Sequence, residues 1–236
     1  MITDVVIVPG APLLLPEYQG RISAAPGLIE SCITVVREAV ASAHHVVVVH
    51  ATDRDARSTK PAVGLRVADH LLAATHENFD VEHVAVAWDA TLEECVDLGR
   101  GLEPQGATTL LVVADGSARR TEKAPGHLDP RATDIDDVIV DAVRTAGESG
   151  LERLLDLDPE LCADLLVAGR APLQVLAAAV GSAGDVASAD TAALATTSAD
   201  AGVRAAAGGR TAYRVESCEV SDPFGVLYVV AHLVAT

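Results

Sequence analysis

Chemistry in this chain of 236 residues concentrates in a few short stretches. His50 closes the run HHVVVVH. An imidazole there can ligate a metal or accept a proton, or it can simply be hydrogen-bonded where its strand stops. The next stretch, HATDRDARSTK, carries Arg54, Arg57 and Lys60, and a later one, DGSARRTEK, carries Arg119, Arg120 and Lys123. Six of the 17 cationic residues, both lysines among them, thus fall in two short loops of a chain whose net charge is −17. This local reversal of sign suits a pocket for a carboxylate, a phosphate or a phenolate. The alternative is solvated loop charge, partly paired with Asp53, Asp55 and Glu122. Asp115 and Ser117 offer a candidate acid–base carboxyl and a candidate pocket hydroxyl. However, Asp115-Gly116-Ser117-Ala118-Arg119 is not the G-x-S-x-G elbow, and Gly-Ser pairs are routine turn formers.

A non-haem iron site needs two histidines and a carboxylate with open positions beside them. His50 can be one ligand, and Glu216, Glu219 or Asp222 can supply the carboxylate. The natural place for the second histidine is the loop after the first strand, Pro9-Gly10-Ala11-Pro12, which has no ligating side chain. His127 lies in APGHLDP, which reads as a surface turn. No CxxC pair occurs among Cys32, Cys95, Cys162 and Cys218, so free, mostly buried thiols are expected. No GxGxxG or P-loop follows any expected strand.

The elements that must position these residues are legible as alternating apolar runs. Residues 4–8, 45–50, 81–87 and 108–114 read as strands. Residues 27–42, 64–74 and 91–101 between them read as helices, the last capped by Thr91. This order predicts an α/β fold: a single domain with a largely parallel central sheet and helices on both faces. Helices follow at 130–146, 149–156, 158–168 and 171–182, two of them opened by Asp-Pro. Residues 183–210 form a loosely specified connection, and TAYRVESCEV with FGVLYVVAHLV predicts a C-terminal β-hairpin. In such a sheet, ligands bind beyond the carboxyl ends of the strands, where Gly10, His50 and Asp115 all fall.

Half of the residues are hydrophobic, enough for one sizeable core. The acidic balance opposes nonspecific contact with nucleic acid or anionic membranes. Asp4 interrupts the first apolar run and no later run reaches spanning length, so a cytoplasmic protein is expected.

The opening PGAPLLLPE resembles the CPHPPLLVPE-type opening of proteins similar to the B subunit of class III extradiol dioxygenases. DGSARRTEKAPGHLDPRA, ELCADLLVAGRAPLQVLA and PFGVLYVVAHL resemble an actinobacterial-type branch of that superfamily, which has Memo-like proteins as distant relatives. The resemblance spans nearly the whole chain. It implies a single α/β domain, often a homodimer, and Fe(II)-dependent ring opening of catechols in active members. It also implies iron held by a histidine after the first strand, a histidine after the second and a late glutamate, with a further histidine as acid–base group. By position these fall on Gly10, near His50, on Glu219 and within Asp115–Arg120, so the first and last positions lack their histidines. The expectation is a dioxygenase-like protein with an incomplete iron site that binds a small anionic or aromatic molecule without ring cleavage. In that reading Gly10 lines the pocket together with Arg54, Arg57, Lys60, Arg119, Arg120 and Lys123. A second reading is an active enzyme using Fe(II) or Zn in a rearranged site of His50 and Glu219 with His127 or Asp115. A third is a non-catalytic interaction protein whose sheet mouth is filled by its own side chains.

Overall fold

Runs of β-branched residues without intervening polar groups form strands only where both faces are covered. That condition is met by β1 (Ile2–Val8), β2 (His45–Thr52) and β4 (Thr108–Val113), which are buried almost throughout. The computed structural model describes residues 1–21, 23–54, 60–181 and 211–236. With β3 (Asp80–Ala87), β5 (Tyr213–Ser221) and β6 (Tyr228–Ala235), these strands form one six-stranded sheet in the order β3-β2-β4-β1-β6-β5. Strands β1 to β4 are mutually parallel, whereas β6 runs antiparallel to β1, and β5 antiparallel to β6. The expected single α/β domain with a C-terminal hairpin is the observed architecture. The hairpin occupies the edge beside β1, and β3 forms the other, more exposed edge.

Alternation along each strand sorts side chains to two cores. Val6, Val8, Val46, Val48, Leu111 and Val113 pack under α1 (Pro26–Val40) and α2 (Val63–Ala73). Val5, Ile7, Val47, Val49, Leu110 and Val112 pack under α3 (Leu92–Arg100), α4 (Arg131–Arg144), α5 (Pro159–Asp164) and α6 (Arg170–Gly181). Thr91 caps α3 in a capping box with Glu94, and Asp158 caps α5 by accepting from Leu161 N–H.

Three local expectations change. Residues Gly150–Asp156 form a 3-10 helix rather than an α-helix, confined between left-handed Ser149 and extended Leu157. Helix α5 stops at Asp164 because Leu166 turns left-handed, with φ 55°. Strand β6 starts at Tyr228, since Asp222–Gly225 is spent on a turn closed by Gly225 N–H to Asp222 C=O, 3.0 Å. The connection 183–210 lies outside the described residues. No helix among the described residues is long and apolar enough to cross a membrane.

The helices carry a polarity that matters for the site. The connections leaving β1 and β2 climb to one face, through α1 and α2, while those leaving β3 and β4 descend to the other. Because β4 lies between β2 and β1, its outgoing loop diverges from both neighbours. The carboxyl ends of β1, β4 and β2 are thus the topological switch point of the sheet, where α/β sheets place their ligand crevices.

On the second face, α3 and α6 meet without a side chain between them. A Cβ on Gly99 would sit 2.7 Å from Ala178 Cβ and closer still to the Val175 carbonyl oxygen. Gly99→Ala is therefore expected to cost about 1–3 kcal/mol through overpacking. Gly27→Ala, at an exposed position of α1 with open space around it, should instead stabilise by up to about 1 kcal/mol. Urea midpoints of the two variants should move in opposite directions. A Gly99→Ala midpoint equal to wild type would show that the helices separate without cost.

Candidate functional site

The switch point is organised around one carboxyl group. Asp115 follows β4, and its Oδ1 accepts a hydrogen bond from Gly10 N–H after β1, 2.9 Å. Its backbone bridges to Tyr228 at the start of β6, and its carbonyl accepts from Gly169 N–H, 2.9 Å. The side chain is partly buried, and desolvation raises its pKa to about 7 against the single stabilising bond from Gly10. Around it, Ala11, Val226 and Tyr228 form a small buried cluster against which Leu13, Leu28 and Ala118 pack. Burial, with the Asp115 carboxylate adding to it, pushes the Tyr228 phenol up to about 12. Cys32 on α1 is likewise pushed up to about 12 by burial, then by Glu219 and Asp115, so its thiol is inert.

Gly10 is not a backbone necessity, since its φ is outside the left-handed region. A Cβ there would sit 3.3 Å from Val113 Cγ1 and 3.5 Å from Asp115 Oδ2. The loop therefore has close to, but not quite, the room for a side chain that would look straight at the Asp115 carboxyl.

His50 ends the buried part of β2 on the α1–α2 side and is 3% exposed. Its Nδ1–H donates to its neighbour's carbonyl, Ala51 O, 3.2 Å, leaving Nε2 with the lone pair. Burial lowers its pKa. Glu219 stands on β5, where its carboxylate accepts from Ser31 Oγ, 2.7 Å. β2 and β5 are separated by β4, β1 and β6, so these side chains start on the order of 19 Å apart. The structure does not bring His50 and Glu219 to one point. Among the described residues no group of three His, Cys, Asp or Glu side chains is close enough to hold a metal ion. Residues present therefore do not fit the iron centre implied by the resemblance. His127 lies in an exposed turn with φ 57°, as its surrounding sequence suggested.

The two cationic loops do not form one pocket. Arg54 reaches outward to the β3 edge, where Glu94 takes both Nη groups at 3.0 Å and Asp89 takes Nε at 3.2 Å. This guanidinium and the Thr91 amide hold the Glu94 carboxyl down at about 2. Arg120 reaches the opposite way, with Nη1 on Asp136 at 2.8 Å and Nε on Asp222 at 2.9 Å. Arg119 lies 3.7 Å from Asp129. Lys123 lines a surface depression with Phe224 beside the hairpin turn, Lys60 is exposed, and Arg57 lies outside the described residues. Ser117 is fully buried: its hydroxyl donates to Leu165 O at 2.7 Å and accepts from Arg119 N–H at 3.1 Å. It is a turn anchor, and its hydroxyl is committed.

Several polar residues central to this end of the sheet were not singled out from sequence. Tyr228 is buried beside Asp115, to which its backbone bridges. Asp136, 0% exposed on α4, accepts from Ser117 N–H and Arg120 and is pushed up by burial. Arg170 and Gln174 form a buried pair on α6, Nη1 to Oε1 at 2.9 Å. The available signal was an Arg and a Gln four apart in the otherwise apolar run AGRAPLQVLA. Comparison of the chain with family models and with curated proteins finds no match.

The raised pKa of Asp115 has a signed consequence. Its folded-state carboxyl holds the proton to about pH 7, whereas an unfolded aspartate releases it near pH 4. The native state then binds more protons between those values, and its stability falls as pH rises through that window. Asp115→Asn should remove this loss, gaining roughly 1–3 kcal/mol relative to wild type at pH 8 compared with pH 5. Urea unfolding of both proteins at the two pH values checks it. An identical difference at both would mean that Asp115 ionises as an ordinary surface carboxylate.

Proposed function

We propose that this chain is a class III extradiol dioxygenase-like protein with an incomplete iron site. It binds a small hydroxylated aromatic molecule in the crevice between the β1 and β4 loops and does not cleave it. The observation that carries this reading is the Asp115 carboxyl. It stands at the switch point of an α/β sheet and is partly desolvated, and among the described residues its only hydrogen bond comes from Gly10 N–H. Its surroundings of Ala11, Leu13, Leu28, Val226 and Tyr228 suit a ring. A phenolic hydroxyl donated to Asp115 would satisfy the acceptor capacity that the fold leaves over. An aromatic hydroxyl is favoured over an anion because Arg54, Arg119 and Arg120 already face carboxylates of the chain itself.

The residues at the expected metal positions support the absence of ring cleavage: Gly10 has no side chain, and His50 and Glu219 lie on distant strands. Binding alone needs none of them. One observation favours a second reading, an interaction protein, because the mouth is partly filled by the Ala11–Val226–Tyr228 cluster.

Calorimetric titration with catechol and protocatechuate, paired with oxygen uptake after adding Fe(II), tests the proposal. Wild type should bind catechol, Asp115→Ala should bind it at least about tenfold more weakly, and no oxygen should be consumed. Oxygen consumption with a ring-opened product would replace this reading with an active enzyme. Absence of heat with either compound would leave the interaction-protein reading in its place.

A further inference from the structure

On the opposite face of the sheet, the loop after β3 and the α5–α6 connection enclose a cavity of about 440 Å³. Most of its wall is apolar, formed by the Trp88 indole, Pro159, Cys162, Ala163, Leu166 and Val167, with Asp89 and Glu160 also on it. Arg170, the first residue of α6, belongs to the same wall and is 2% exposed. Its Nη1 donates to Ala90 O at 2.6 Å and Gln174 Oε1 at 2.9 Å, and its Nη2 donates to Trp88 O at 2.8 Å. Three of the five guanidinium N–H donors are thus placed on neutral oxygens.

The partners of the other arginines make this arrangement informative. Arg54, Arg66, Arg119, Arg120, Arg131 and Arg214 all pair with carboxylates of the chain. Acidic residues outnumber basic ones by 34 to 17, so a carboxylate partner is easily supplied. Yet the most deeply buried guanidinium has no ion-pair partner among the described residues. A cation withdrawn from water without a counter-charge is expensive, and dipoles of carbonyl oxygens offset the cost only in part. The cavity beside it is where a counter-charge can arrive from outside.

We infer that this cavity is a binding site for a small carboxylate with an apolar body, its anionic end directed to Arg170 and its body packed against Trp88, Leu166 and Val167. The two acidic wall residues do not block this. Asp89 is already engaged by Arg54 at 3.2 Å, and Glu160 is on the exposed outer side of α5. Leu166 is 45% exposed and left-handed, an uncommon conformation for a branched residue, and it holds apolar surface at the cavity mouth. Cys162 takes no covalent part, because burial pushes its thiol up to about 12. The site is separate from the Asp115 crevice, which lies on the α1–α2 face of the sheet.

Trp88 is the sole tryptophan of the chain, so its fluorescence reports directly on this cavity. The probes are phenylacetate and its neutral isostere phenylacetamide. Phenylacetate should change Trp88 emission saturably, and phenylacetamide should bind at least about tenfold more weakly, the worth of one charge-assisted hydrogen bond. Ala163→Phe, made at an exposed helix position, should fill the cavity and weaken phenylacetate by a similar factor or more. Arg170→Gln should equalise the two probes. Asp115→Ala should leave phenylacetate binding unchanged, which separates this site from the crevice. Equal binding of acid and amide to wild type, unchanged binding in Ala163→Phe, or no saturable response to phenylacetate would each overturn the inference.

Discussion

Burial of the central strands on both faces is the constraint from which the site follows. Val5 to Val8, Val46 to Val49 and Leu110 to Val113 expose almost nothing, so helices must cover the sheet on two sides. A chain that winds helices onto both sides has to change sides somewhere. Here it does so around β4, whose outgoing loop departs from those of β1 and β2. Hydrogen-bonding groups at the separating strand ends lose their ladder partners. Asp115 and Gly10 meet across that gap, 2.9 Å from amide to carboxylate, and tie together the two loops that the topology drives apart. The polar group that stabilises the divergence is therefore also the one that a ligand entering the crevice would meet.

The acidic balance of the chain decides the fate of the loop cations. With twice as many carboxylates as cations, an arginine in a loop is rarely far from one, and an exposed pair costs little to form. Arg54 and Arg120 leave adjacent strands yet are drawn to opposite edges of the sheet, one to Asp89 and Glu94, the other to Asp136 and Asp222. They clamp the β3–α3 loop and the hairpin turn to the body of the domain. Local reversal of charge in the sequence thus marks two fastenings.

The strands, their order of appearance and the placement of Gly10, His50 and Asp115 at one end of the sheet were legible, because period, length and Asp-Pro or Thr caps act locally. Partner choice was not. Which carboxylate meets Arg120 depends on β6 lying beside β1, a pairing that joins residues more than 200 positions apart. The distance between His50 and Glu219 is of the same kind: each sits on a strand, and only the lateral order β2-β4-β1-β6-β5 separates them. Ser117 shows the complementary limit. Its turn was readable, but the turn of its hydroxyl inward to Leu165 depends on α5 ending early at a left-handed Leu166.

The two polar centres at this end of the sheet have opposite character, and their separation has a physical basis. Asp115 is a carboxyl on the α1–α2 side and Arg170 a cation on the α3–α6 side, each without an ion-pair partner among the described residues. Gly169, the residue before Arg170, donates its N–H to the Asp115 carbonyl, so the two are joined through backbone. Were they in direct contact they would form a buried ion pair and both would be spent. A Cβ on Gly169 would lie 2.7 Å from Asp115 N and from Ala114 Cβ, so the connection approaches the sheet as closely as a backbone can. Yet the strand plane keeps the side chains apart. Among the described residues each group has neutral hydrogen-bond partners only, Gly10 N–H for Asp115 and three oxygens for Arg170. A domain that needed only to be stable could have paired them. Holding them apart leaves each buried group with hydrogen-bonding capacity that a molecule of complementary chemistry could satisfy.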